Sequence, residues 1–234
     1  MTLSNKVAIV TGASAGLGAA FSRSLVAKGA TVYGLARRAD RLHELNSELG
    51  DRFIPVVMDV TDRAALFTWV THTFDSSNRP DIVVNNAGLG HFAGVDALDP
   101  ADWDTMLSVN LTGVFNLTHA IVPHLKENPN VTHIVNIASV AGLIGNPNLS
   151  GYNATKFGLR GFSDALMKEL RGFGIKVSCM YPGSIDTEFS ATSHPNMMQA
   201  PDVATVLIHL LEMPDNFLID EIVMRPLNPK PPAA

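Results

Sequence analysis

The sequence predicts an α/β fold in which a parallel β-sheet is covered by helices on both faces. Three observations lead there. Short runs rich in Val and Ile are apolar almost throughout, as in strands buried on both sides. Amphipathic stretches of helical length separate them, so each connection is a crossover, right-handed by rule. Charged residues are only 17% of the 234 against 46% hydrophobic, a balance that suits doubly covered strands or buried oligomer faces and disfavours disorder. A chain of this length buries a sufficient core without a disulfide or metal staple.

In chain order, residues 7–10 form the first predicted strand. Residues 17–28 follow as a helix, with Leu17, Ala20, Phe21, Ser24, Leu25 and Lys28 near the 3.6-residue period. Strand 31–35 leads to helix 39–49, strand 53–58 to helix 63–74, and strand 82–84 to a long helix over 101–125. Asp99 and Pro100 supply that helix with an N-cap and an N1 proline. Strand 131–137 precedes a glycine- and proline-bearing loop, 140–151, and helix 155–172. Strand 177–180, helix 202–211 and strand 221–224 complete seven strands. No repeat or composition break divides the chain, so residues 1–226 are expected to form one domain. Residues 227–234 are read as a Pro-rich tail that cannot be regular core structure.

Composition also removes several functions. A net charge of −5 offers phosphate backbones no basic patch, so no nucleic-acid partner is expected. No apolar stretch approaches a membrane span, and the first apolar run is too short for a signal h-region. The single cysteine, Cys179, cannot pair internally and is expected in the core; a reducing, cytoplasmic setting follows. The eight histidines form no metal-binding pattern, so no metal site is expected. His91 alone is a candidate pocket-wall residue.

Chemistry begins after the first strand. Thr11-Gly12-Ala13-Ser14-Ala15-Gly16-Leu17-Gly18 is a glycine-rich strand-to-helix turn with the spacing G-x-x-x-G-x-G. Glycine lets backbone approach a pyrophosphate, and the following helix offers free N–H groups and a positive dipole end. After the second strand, Ala36 stands near the place where an acidic residue would hold an unphosphorylated ribose, and Arg37 and Arg38 follow. Guanidinium groups grip a 2′-phosphate through charge-assisted hydrogen bonds, so the phosphorylated dinucleotide, NADP(H), is expected over NAD(H).

Tyr152 and Lys156 lie four apart, on one face of a predicted helix. Alone, the pair is a common accident. Ser139 changes its meaning: it follows a strand at the carboxyl edge of the sheet, where open α/β folds bind ligands, and the loop can fold it back beside Tyr152.

Taken together, Gly12-x-x-x-Gly16-x-Gly18, Asn85-Asn86-Ala87-Gly88, Asn110, Ser139, Tyr152-x-x-x-Lys156 and Pro182-Gly183 with Thr187 resemble the ordered motif set of the short-chain dehydrogenase/reductase family, in its compact branch. The resemblance covers nearly the whole chain. It implies a Rossmann-type doubly wound fold with a seven-stranded parallel sheet, and hydride transfer between a nicotinamide and a carbonyl or secondary alcohol. It implies that Tyr152 is the general acid/base, that Lys156 binds the nicotinamide ribose and lowers the tyrosine pKa, that Ser139 polarises the carbonyl, and that Asn110 holds a water in the proton relay where the long helix is interrupted. The implied cofactor-binding set is Gly12, Ser14, Gly16, Leu17, Gly18, Arg37, Arg38, Asp59, Val60, Asn86, Ala87, Gly88, Tyr152, Lys156, Pro182, Gly183, Ile185 and Thr187, with Asp59 at the adenine and Ile185 and Thr187 at the carboxamide.

Elementary electrostatics agrees with those roles. A free phenol titrates near 10, too high for a base at neutral pH. An ammonium about 4 Å away contributes roughly 4 kcal/mol at an effective dielectric of about 20, enough to pull the phenol down by up to about three pH units. The segment 184–200 is short for a substrate lid, which points to an open pocket; Met197-Met198 suits flexible lid material, although a Met pair is more often packing than function. The apolar stripes Leu107, Leu111, Val114, Phe115 and Phe157, Phe162, Leu166 suit a homodimer or homotetramer. A catalytically silent NADP-binding regulatory protein is the alternative; it is disfavoured because both Tyr152 and Lys156 are present. An epimerase or dehydratase of the longer relatives is disfavoured by length.

Overall fold

A computed structural model describes residues 2–189 and 196–227. Its elements, in chain order, are β1 (Val7–Thr11), α1 (Gly16–Ala27), β2 (Thr31–Ala36), α2 (Ala39–Leu49), β3 (Phe53–Val57), α3 (Arg63–Thr73), β4 (Ile82–Asn85), α4 (Pro100–Leu107), α5 (Gly113–Lys126), β5 (Thr132–Ile137), α6 (Ser150–Leu170), β6 (Ile175–Pro182), β7 (Ile185–Asp186), β8 (Met198–Gln199), α7 (Ala200–Leu211) and β9 (Glu221–Met224). Seven strands form one sheet in the order β3-β2-β1-β4-β5-β6-β9, and β7 pairs with β8 beside it. Every pairing in the large sheet is parallel. The fold is therefore the doubly wound, Rossmann-type arrangement.

The two-residue period of a strand sorts side chains into two cores. Ala8, Val10, Ile82, Val84, Val135 and Ile137 pack on one face with residues of α1, α2 and α7. Ile9, Val83, Ile134 and Val177 point the other way, against α3, α5 and α6. Cys179 is buried, as expected. Two buried asparagines on the strands are paired: Asn85 donates to Asn136 of the neighbouring strand at 2.8 Å, and Asn136 donates to Ser163 of α6 at 2.8 Å.

Sequence order reverses between β1 and β4. This is the switch point where the loops leaving two strands diverge and a crevice opens at the carboxyl edge. Asp99 caps α4 by accepting from the Ala101 amide at 2.8 Å, ahead of Pro100.

The interruption expected at Asn110 in the long helix over 101–125 is a π-helical turn, Ser108–Thr112, between α4 and α5. Met198 belongs to β8 and packs on the core, the packing reading of the Met pair. One expectation needs correction: the helix expected from 155 already begins at Ser150, so Tyr152 stands in its first turn. Residues 190–195 of the expected short lid, and 228–234 of the expected tail, lie outside the described residues.

Candidate active site

The crevice at the switch point is a cavity of about 840 Å³. One end is walled by Ser14, Ala36, Arg37 and Arg38, the middle by Gly12, Gly16, Asn86 and Gly88, and the other end by Ser139, Tyr152 and Lys156.

The floor is built by backbone contact at the switch point. Thr11 Oγ1 accepts from the amides of Asn86 and Ala87, each at 2.9 Å, and Asn86 Nδ2 donates to the Thr11 carbonyl at 2.9 Å. This draws the Asn86-Ala87-Gly88 turn onto β1. A Cβ on Gly12 would stand 2.9 Å from Asn86 Nδ2, and one on Gly18 would strike the Gly12 carbonyl oxygen. Gly12 has φ +67° and Gly16 φ +52°, in the left-handed region that glycine tolerates. The α1 N-terminus has no side-chain cap and no acidic residue in its first turn. Its first N–H groups and positive dipole end therefore suit a pyrophosphate.

At the far end, Arg38 donates through Nη1 to Glu188 Oε2 at 3.0 Å and through Nε to Ser14 Oγ at 3.2 Å. Arg41 lies 3.9 Å from the same carboxylate, and Arg37 lies 3.9 Å from Asp59. The guanidinium of Arg38 holds the Glu188 carboxyl below its usual range. Asp59 accepts from the amide and hydroxyl of Thr61 at 2.9 and 2.8 Å.

At the chemical end, Ser139 and Tyr152 line the same wall of the cavity, and the Ser139 hydroxyl acts to lower the Tyr152 phenol. Ser139 Oγ accepts from the Ala141 amide at 3.1 Å, which orients the hydroxyl at the start of the loop. Lys156 is buried; its Nζ donates to the Ile137 carbonyl at 3.0 Å and lies 5.7 Å from the centroid of the Tyr152 ring. Burial pushes Lys156 down to about 8. It pushes the Tyr152 phenol up to about 12, with the Ser139 hydroxyl opposing. Desolvation of the phenolate is thus the dominant influence on Tyr152 in this arrangement.

Asn110 lies fully buried in the π-helical turn. Its amide is committed: Nδ2 donates to the Leu89 carbonyl at 2.8 Å and to Thr155 Oγ1 at 3.1 Å, and Oδ1 accepts from the Leu89 amide at 2.8 Å. It ties the strand-end turn after Gly88 to α6. A π-turn adds the residue needed to aim this side chain inward, a frequent device at functional sites.

Most residues expected at the site line the cavity. Gly18, Asp59 and Asn110 do not reach its wall but stand behind it. His91 is not at the wall either: Phe92 takes that place, and His91 Nδ1 faces Asp102 at 3.3 Å. The sequence reading missed Phe92, Glu188 and Phe189. Glu188 could have been suspected, being an acid in the segment beside an arginine cluster.

A family model described as short chain dehydrogenase matches residues 6–197. A serine 3-dehydrogenase from Rhizobium radiobacter is 34% identical over 236 residues, covering 94% of this chain and 93% of that one. Among solved structures, a closed form of serine dehydrogenase complexed with NADP+ is 31% identical, with a TM-score of 0.87 and coverage of 93% of this chain and 94% of that one. A 3-ketoacyl-(acyl-carrier-protein) reductase from Brucella melitensis complexed with NADH is 27% identical, with a TM-score of 0.90 and coverage of 96% and 98%.

Proposed function

The chain belongs to the short-chain dehydrogenase/reductase family, and on that premise we propose that it is an NADP(H)-dependent oxidoreductase interconverting a carbonyl and a secondary alcohol. One observation carries the proposal: Ser139, Tyr152 and the buried Lys156, one helical turn from the tyrosine, line a single cleft.

The residues present fit a dinucleotide. Gly12, Ser14, Gly16 and Leu17 with the α1 N-terminus would hold the pyrophosphate. Val60, with Asp59 behind it, would flank the adenine, and Asn86, Ala87 and Gly88 would floor the middle. Lys156 would bind the nicotinamide ribose, and Pro182, Gly183, Ile185 and Thr187 the carboxamide end. A Cβ on Gly88 would be 3.5 Å from Lys156 Nζ and 3.2 Å from Asn110 Oδ1, so the cradle there admits a sugar only because that side chain is absent. Once bound, the reduced nicotinamide supplies a hydride to the carbonyl carbon.

The protein's own part is proton management. Ser139 donates a hydrogen bond to the carbonyl oxygen as negative charge gathers there. Tyr152, protonated at neutral pH because burial disfavours its phenolate, delivers its proton to that oxygen. In the oxidising direction Tyr152 must first lose that proton, which the Lys156 ammonium favours. Asn110 acts by holding Leu89 and Thr155 in place around this machinery, with a water as the expected next link in the relay.

Preference for the 2′-phosphorylated cofactor is supported by Arg38 and Ser14. Together they form an oxyanion site, and Glu188 shows its taste by placing a carboxylate there. A homodimer or homotetramer is supported by Phe115 on α5 and Phe157 on α6, which remain 43% and 42% exposed. No helix among the described residues is long and apolar enough to cross a membrane.

The test is NADPH consumption with a broad carbonyl panel, run beside Tyr152→Phe. Turnover that depends on the tyrosine hydroxyl supports the reading; an undiminished variant removes it.

A further inference from the structure

The substrate end of the cleft has a chemistry of its own. Beyond Ser139 and Tyr152 the wall is mainly apolar, with Leu89, Phe92, Val140, Leu149 and Phe189, and Asn146 among them. Phe92 meets the Tyr152 ring edge-on with centroids 5.6 Å apart, Phe189 lies 5.8 Å from the same ring, and the two phenylalanines are 6.0 Å apart. Phe92 and Phe189 are nevertheless 49% and 46% exposed. Two large rings thus stand half open to water immediately beside the reacting hydroxyls. A ligand with an apolar face would cover them.

Cations are distributed the other way. Among the described residues, the cleft-lining cations are Arg37, Arg38 and Lys156. Arg37 and Arg38 stand at the opposite end with Asp59 and Glu188, and Lys156 donates to the Ile137 carbonyl below the nicotinamide place. The described residues 184–189 and 196–200 include neither lysine nor arginine, but do include Asp186 and Glu188, while His194 lies outside the described residues. His91, the nearest histidine in sequence to Phe92, is turned to Asp102. A carboxylate carried by the substrate would meet no lysine or arginine among the described residues of this wall, which is unfavourable to the extent that it leaves water.

We infer that the substrate is an uncharged ketone with an aryl or bulky alkyl group, or the corresponding secondary alcohol, and not an amino acid or hydroxy acid. The inference rests on the oxidoreductase reading above and departs from what the names of the serine dehydrogenase relatives suggest. Reduction is balanced as one hydride from NADPH to the carbonyl carbon and one proton from Tyr152 to the oxygen, with water re-protonating the tyrosine.

A matched pair isolates charge from shape. Methyl 4-acetylbenzoate and 4-acetylbenzoate present the same aryl ketone, one neutral and one anionic. With the full chain and NADPH, kcat/KM for the ester should exceed that for the acid by at least about 100-fold, the scale of an unpaired buried charge. L-serine and 3-hydroxybutyrate with NADP+ should give no more than background. Phe92→Ala should raise KM for the ester more than it lowers kcat, whereas Phe189→Arg should narrow the gap between acid and ester. Equal or better turnover of the acid or of L-serine, still dependent on Tyr152, would overturn this inference and leave the oxidoreductase reading standing. Failure of every ketone and alcohol despite measured NADPH binding would overturn both.

Discussion

Replacing Lys156 by Met should make the cofactor-free protein more stable while abolishing turnover. The ammonium lies 4% exposed, and its only hydrogen bond shown is to the Ile137 carbonyl. Burial moves it from 10.5 to about 8. Keeping it charged at neutral pH therefore costs about 3 kcal/mol in the folded state. Methionine of similar length removes that cost and forfeits a hydrogen bond worth about 1 kcal/mol, for a net gain of about 1–3 kcal/mol. The assay is urea unfolding of both proteins at several pH values. Between about pH 8 and 10.5 the unfolded lysine keeps its proton and the folded one has released it. The unfolded chain then binds more protons, so wild-type stability rises with pH across that window. The Met variant lacks this rise, and its advantage should fade toward about pH 10. A variant that is less stable at neutral pH, with a gap that does not change with pH, would refute the reasoning. The charge would then not be an expense retained for binding and catalysis.

Glu188→Gln should tighten NADPH binding by a few-fold at low salt and leave NADH nearly unchanged, because it removes a competing anion from an exposed guanidinium; fluorescence titration of both cofactors reads this, and an equal change for both would contradict the phosphate site. Asn110→Ala should cost roughly 1–3 kcal/mol in denaturant unfolding, since it takes a partner from the partly buried amide and carbonyl of Leu89; a loss under about 0.5 kcal/mol would show that those groups are satisfied elsewhere. With Tyr152 pushed up to about 12, alcohol oxidation should accelerate as pH rises above neutral, while carbonyl reduction should not. A flat oxidation profile would mean that the tyrosine does not supply the base.

Much of the sheet was legible because its strands are apolar on both faces and interrupted by turns, a pattern few other elements share. The exceptions have local causes. Strand β6 extends to Ile175 and Pro182, past the expected 177–180, because Lys176 disguises it; that side chain is buried and donates to the carbonyls of Pro214 and Phe217 at 2.6 and 2.7 Å. The pairing of β7 with β8 involves two residues each, too few to imprint a period. The π-turn at Ser108–Thr112 is invisible to a helical period, since it changes the ladder by one residue without changing composition.

At the site, the motif residues were legible because glycine, tyrosine and lysine at fixed spacing carry backbone and proton chemistry in their identities. Which neighbour of the Gly88 turn faces the cleft was not. His91 and Phe92 are adjacent; the His91 amide donates to Met106 Sδ at 3.4 Å, and it is Phe92 that lines the cleft. The sign of the tyrosine shift was also beyond sequence, because it depends on how dry the phenol becomes as well as on where the ammonium stands.

The most direct measurement follows the hydride and the proton together. Incubate the protein with NADPH deuterated at the transferring C4 position and methyl 4-acetylbenzoate, then locate the label in the alcohol by mass spectrometry, alongside Tyr152→Phe and Ser139→Ala. The geometry predicts one deuterium on the carbinol carbon with the native protein. It predicts almost none with either variant at NADPH concentrations that fluorescence titration shows to be saturating. Label transfer that persists undiminished in Tyr152→Phe would contradict the assignment of the proton to that hydroxyl.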